Sequence, residues 1–168
     1  AVTSKQLSEE LPSWMPLVGM GGESFRWRSA WLYEVETDTV RQVSKADCNV
    51  WEVVWCGPGA LAAVVSPGPS EALWYTATLN IIDLKSGDDW VVYTPKDQLG
   101  WPAVSPSGKQ LAVVEAVCSD RWIVAGDLLL IDTQSGEVKR IDTKGVDVTC
   151  TEWRSEEGLL FAGHRGFE

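Results

Sequence analysis

Glu34, Asp83 and Asp132 stand 49 residues apart, each inside the same short phrase: Leu32-Tyr33-Glu34-Val35, Ile81-Ile82-Asp83-Leu84 and Leu130-Ile131-Asp132-Thr133. The same offset relates Val43, Val92 and Ile141, then Trp55, Val104 and Trp153, and then the turn positions Asp38, Gly87 and Gly136. Four sets of matches at one fixed offset constrain the fold more than any other feature of the chain. They require consecutive copies of one supersecondary unit, stacked so that each buries apolar surface against the next.

Each unit reads as strands. Trp101 to Ser105 leads into a turn at Pro106-Ser107-Gly108, and Leu111 to Ala116 runs back from it, which is a hairpin signature. A second hairpin per unit flanks Lys85-Ser86-Gly87-Asp88 and, one repeat later, Thr133-Gln134-Ser135-Gly136, where glycine supplies the positive φ of a tight turn. The runs are rich in β-branched and aromatic residues and lack a 3.6-residue period, so helices of any length are not expected; Ser4 to Leu11 is the one helical candidate.

Four short strands in a unit near fifty residues predict an all-β chain, a partial β-propeller of about three four-stranded blades. A sandwich is the alternative, but it does not require sequence repetition at a fixed offset. With strands lettered a to d from the inside of each blade, the expectation for the middle blade is a at 50–55, b at 60–65, c at 79–84 and d at 89–94. The next blade has a at 101–105, b at 110–116, c at 127–132 and d at 137–142, and the last has a at 148–153 and b at 159–162. Residues 1–30 read as a degenerate or partial first blade and connector, with Trp14 to Val18 as a worn strand b, and 31–168 as blades that end in mid-blade. Propellers close rings of about 4–8 blades, so three blades are expected to belong to a larger propeller. Unpaired edges make self-association the alternative way to complete it.

The phrases S-P-S-G-K-Q-L-A-V-V at 105–114, apolar-apolar-Asp, and Ser135-Gly136-Glu137 resemble the blade consensus of the N-terminal propellers of the prolyl oligopeptidase family, nearest to its acylaminoacyl-peptidase and dipeptidyl-peptidase branches. The periplasmic propeller of the Tol system carries a similar phrase. The resemblance covers roughly 31–165. Gly57 and Ala60 depart from it in the first copy, and Arg154-Ser155-Glu156-Glu157-Gly158 has no proline in the third. It implies a non-catalytic propeller portion of a serine peptidase, gating peptide substrates toward an α/β-hydrolase domain of the same parent polypeptide. The alternative is a Tol-like or WD-repeat-like binding scaffold without an enzyme.

Charge excludes one class of partner. Fourteen Lys and Arg against 24 Asp and Glu leave a formal net charge of −10, which repels phosphate backbones and anionic membrane surfaces. Neither nucleic acid nor membrane is an expected partner, and no stretch has the apolar length of a membrane span or a secretory leader. Cys48, Cys56, Cys118 and Cys150 lack metal-ligand spacing. They read as unpaired thiols in a reducing, cytoplasmic compartment, or as one or two disulfides; a Tol-like protein would be periplasmic.

No catalytic set, cofactor motif or metal motif emerges. Gly22-Glu23-Ser24-Phe25-Arg26 has arginine where a nucleophile elbow needs glycine. His164 is the single histidine, with neither an orienting acid nor a nucleophile legible beside it. One imidazole also cannot supply the several N ligands of a metal-dependent propeller lyase. Asp88-Asp89 lacks a calcium-loop frame, and Gly19-Met20-Gly21-Gly22 lacks the lysine of a phosphate loop. Glu34, Asp83 and Asp132 are expected to hold adjacent turns by hydrogen bonds. Trp55, Trp101 and Trp153, among ten tryptophans, are expected to fill wedges between blades. Trp74 and Trp122 fall in the long b-to-c connections at 66–78 and 116–126, where recognition usually resides, and are the candidate contacts to substrate or partner.

Overall fold

The structure is a computed structural model that describes residues 27–117 and 124–166. Strands run in the order β1 (Trp31–Glu34), β2 (Thr39–Gln42), β3 (Asn49–Trp55) and β4 (Ala60–Ser66), followed by a one-turn helix α1 (Glu71–Trp74). Then come β5 (Thr78–Asp83), β6 (Asp89–Tyr93), β7 (Gln98–Val104), β8 (Gln110–Ala116), β9 (Asp127–Asp132), β10 (Val138–Arg140), β11 (Val146–Ser155) and β12 (Gly158–Arg165). β3-β4-β5-β6 and β7-β8-β9-β10 form two four-stranded antiparallel sheets, flanked by the two-stranded pairs β1-β2 and β11-β12. These are two complete blades between the c–d half of one and the a–b half of another.

Burial explains why the b strands read as continuous apolar runs. β4 and β8 lie inside their sheets with a blade on either side, so both faces are covered. Along β4 the side chains divide between two cores. Ala62 and Val64 pack with Leu79, Ile81, Leu99 and Leu111 toward the next blade. Leu61, Ala63 and Val65 pack with Ala30, Val43, Val50 and Ile82 toward the preceding one. The d strands are outermost, and β2 and β10 are exposed throughout. Val50, Leu99 and Val148, again 49 apart, are buried at the same place on successive a strands.

The predicted turns are present. Asp38, Gly87 and Gly136 all take positive φ, at 52°, 75° and 71°. Asp83 Oδ1 accepts the N–H groups of Lys85 and Ser86, and Asp132 Oδ1 those of Gln134 and Ser135. The Ser86 N–H, aided by that of Lys85, holds the Asp83 carboxyl below its ordinary value, and the N–H groups of Ser135 and Gln134 do the same for Asp132. Glu34 departs from the expectation. Its longer side chain carries the carboxylate past the turn to Arg41, 4.0 Å away, and the turn is tied instead by Tyr33 Oη donating to Asp38 at 3.0 Å.

Two further expectations need correction. The 66–78 connection contains α1, a turn of helix where the sequence showed only a loop. Of the three wedge tryptophans, only Trp153 behaves as expected: it packs on the core and donates Nε1–H to Ala103 O of the neighbouring blade at 3.0 Å. Trp55 is 58% exposed. It borders a shallow depression with Trp31 and Val53. Trp101 is 41% exposed and lines a cleft between the two blades. Among the described residues no helix is long and apolar enough to cross a membrane. Cys48, Cys56 and Cys150 are free thiols; burial pushes Cys48 up to about 11, with Asp89 and Asp47 adding to the rise.

Candidate ligand-binding cleft

The a strands are irregular where they pass the b-to-c end of the blades. The ladder of β3 on β4 slips between Val50 and Glu52, and that of β7 on β8 slips between Gly100 and Ala103. A bulge bends its strand and re-aims the side chains beside it. Here the bulges bring Trp51 and Glu52 of one blade to face Trp101 of the next across a cleft of about 210 Å³, completed by Trp74 and Val124.

Each wall is fixed by a hydrogen bond or by packing. Trp51 donates Nε1–H to Ser66 Oγ at 2.8 Å, and Ser66 donates in turn to Gly68 O at 2.7 Å. Trp74, carried in by α1 and only 5% exposed, leans on Trp51 with ring centroids 6.0 Å apart and planes tilted by 41°. Trp101 donates Nε1–H to Val124 O at 3.1 Å. Gly100 permits that approach, since a Cβ there would stand 2.8 Å from Val124 Cγ2. The cleft is therefore a preset corner lined by tryptophans of both blades.

Trp101 adopts φ 57°, a left-handed conformation that a bulky L-residue rarely takes and that costs on the order of 1–3 kcal/mol. Two neighbouring blades hold it there: Glu52 Oε2 accepts its N–H at 2.9 Å, and Thr151 Oγ1 donates to its carbonyl at 3.0 Å. Glu52 is itself unfavourably placed. Burial raises its carboxyl above the ordinary glutamate value, and the Trp101 N–H offsets this only in part. A carboxylate with a raised folded pKa destabilises the fold at pH values above its unfolded pKa. Glu52→Gln, which keeps an acceptor for Trp101, is therefore expected to raise the melting temperature at pH 7 by about 2–4 °C, the shift that roughly 1 kcal/mol produces at this chain length. Thermal melts followed by circular dichroism at pH 7 check it, and an unchanged or lower midpoint would contradict it.

The structure places Trp74 in this cleft, while Trp122 lies outside the described residues, as do Ser24, Gly19 to Gly22 and Cys118. His164 is on β12 opposite Asp147 in the ladder, exposed, and does not line the cleft. Asp89 is engaged by Lys45 Nζ at 2.6 Å and by Asn80 Nδ2 at 2.7 Å. Among the described residues no group of His, Cys, Asp and Glu is arranged to hold a metal ion. Sequence reasoning missed Trp51, Glu52 and the part played by Trp101. One signal was available: Glu52 is an acid inside an apolar strand, and it stands 49 residues before Trp101.

No family model matches the chain, and neither does any curated protein. Among solved structures it is similar to an oligogalacturonate lyase in complex with manganese, with a TM-score of 0.65 and 16% identity over 84% of this chain and 43% of that one. It is also similar to the oligogalacturonate lyase of Vibrio parahaemolyticus (TM-score 0.55, 15% identity, 73% of this chain and 37% of that one). A third similarity is to TolB from Acinetobacter baumannii (TM-score 0.50, 21% identity, 69% of this chain and 27% of that one). The chain spans less than half the length of each. At these identities the likeness is one of fold, and the fold it shows is that of β-propeller blades.

Proposed function

We propose that these blades are the non-catalytic portion of a propeller that governs access of peptides to an α/β-hydrolase domain of the same parent polypeptide, as in prolyl-oligopeptidase-like serine peptidases. The observation that carries this reading is the use made of the repeated residues. Asp83 and Asp132 are engaged in turn hydrogen bonds, and the S-P-S-G phrase forms the β7–β8 hairpin, so the recurrent chemistry serves blade architecture. The peptidase assignment itself rests on the resemblance of those phrases. In this reading the protein works in the cytoplasm with its cysteines reduced.

A second reading, a Tol-like or WD-repeat-like binding scaffold with no enzyme attached, is favoured by the tryptophan-walled cleft, a binding feature that needs no chemistry beside it. The coding sequence downstream of Glu168 and labelling of the full-length parent by a fluorophosphonate probe separate the two. A G-x-S-x-G followed by Asp and His, with covalent labelling, supports the peptidase. A stop codon after a few further blades, with no labelling, sinks it.

The exposed sheet edges carry an expectation of their own. β12 has β11 as its sole sheet partner among the described residues, and Leu160, Val40 and Trp31 are more than 60% exposed on the two half-blades. The 168-residue chain is expected to self-associate, with a light-scattering mass that rises with concentration above 18.5 kDa. A constant monomer mass up to about 100 μM, a concentration range in which such edges normally pair, would contradict this.

A further inference from the structure

We propose that the cleft between Trp51, Trp74 and Trp101 binds a methylated ammonium head group, with Glu52 as its counter-ion. This goes beyond the function proposed above and does not depend on whether a hydrolase domain is attached.

The lining decides the ligand class. Three indoles, one valine side chain and one carboxylate line the cleft. An anion would meet Glu52 inside a chain of net charge −10. A primary ammonium or a guanidinium brings three or five N–H donors, and Glu52, already accepting from the Trp101 N–H, is the one charged acceptor in the lining to receive them. Donors left unsatisfied in such a site are costly. A quaternary or trimethylated nitrogen has no donor to satisfy. Its methyl groups pack on ring faces, its charge is attracted by the indole quadrupoles, and the carboxylate completes the neutralisation. The chain already places a cation against one of these rings, since the Arg28 guanidinium stands 5.4 Å from the Trp51 centroid without lining the cleft.

Size points the same way. A cleft of about 210 Å³ is smaller than the roughly 300 Å³ at which pockets begin to enclose a drug-sized ligand whole, which suits a head group with the remainder of the ligand outside. The backbone of Trp101 is the independent observation. A strained φ of 57° held by hydrogen bonds from two other blades is retained against its cost, and such strain collects at ligand clamps.

The test is titration of the full chain with choline chloride by isothermal calorimetry, against 3,3-dimethylbutan-1-ol, the neutral isostere of choline, at constant ionic strength. Choline is expected to bind at least about tenfold more tightly than the isostere, the margin that a desolvated cation–π site gives. Glu52→Gln and Trp101→Gly should each weaken choline about tenfold, while Trp55→Phe, outside the cleft, leaves it unchanged. The first variant is expected to be more stable than the parent chain, and the second relieves the backbone strain, so loss of binding will not reflect loss of fold; circular dichroism verifies this. A trimethyllysine peptide, compared with its unmethylated form, distinguishes the source: preference for the methylated peptide over choline assigns a protein side chain, and the reverse order a free small cation. Equal affinity for choline and its isostere, no choline binding up to about 50 mM, a range well beyond ordinary weak binding, or full retention of binding in both cleft variants would overturn the proposal.

Discussion

Replacing Glu115 by alanine is expected to destabilise the chain by about 3 kcal/mol, because it removes a buried carboxylate that is the acceptor for three donors. Glu115 is 5% exposed at the end of β8. Its Oε2 accepts from Tyr93 Oη at 2.6 Å, and its Oε1 accepts from the N–H groups of Lys96 and Asp97 at 2.7 and 2.9 Å. One carboxylate thus pins the crossing from the outer strand β6 to the inner strand β7, the segment that joins one blade to the next. Burial opposes its charge, but the Tyr93 hydroxyl and the two N–H groups outweigh that and hold the carboxyl below the ordinary 4.5. The sign follows. A lowered folded pKa means that the unfolded chain binds the proton first as pH falls, so the contribution is complete above about 4.5 and disappears as pH drops through the lower folded value. Urea denaturation at pH 7 should show the predicted loss for Glu115→Ala, and the wild-type advantage over Glu115→Gln should be smaller at pH 3 than at pH 7. An advantage that is equal at both, or larger at pH 3, is the result that would refute this account.

Leu111→Ala is expected to cost about 2–5 kcal/mol, the range for emptying a leucine-sized volume from a packed core. Leu111 is fully buried at the start of β8, pairs with Val104 and Ile131 on its two sides, and belongs to the larger core cluster. Single domains have about 5–15 kcal/mol in total, so the variant should lose a large part of its stability. Denaturant midpoints report the loss, and a change under about 1 kcal/mol would show that the blade interface can collapse around the deletion.

Much of the blade architecture was legible because propellers repeat. Strands b and c, covered on both faces, announced themselves as apolar runs, and β4, β5, β8 and β9 begin and end within a residue or so of where Ala60, Ile81, Leu111 and Leu128 placed them. The positive-φ turn positions were readable from Asp38, Gly87 and Gly136, since backbone geometry leaves few residue types able to take them. The cleft was only half legible. Trp74 stood out because it lies in a long connection, but Trp51 and Trp101 sit on strands whose alternation promises a core position. The bulges that turn them toward the cleft depend on pairing with another strand, which no single segment encodes. Glu34 shows the opposite limit: it occupies the acid position of the repeat, yet one extra methylene sends its carboxylate to Arg41.

The hydrogen bonds that tie neighbouring blades together have a consequence for how the chain folds. Glu52 to Trp101, Trp101 to Thr151, Ala103 to Trp153, Cys56 to Gly108 and Ser107 to Glu156 all join residues 49 to 52 apart. The entropy of bringing two points on a chain together grows with the logarithm of the intervening length. Every one of these contacts therefore closes a loop of nearly the same size, however many blades precede it. Adding a blade meets the same closure barrier each time, so assembly can advance one repeat at a time behind a growing polypeptide.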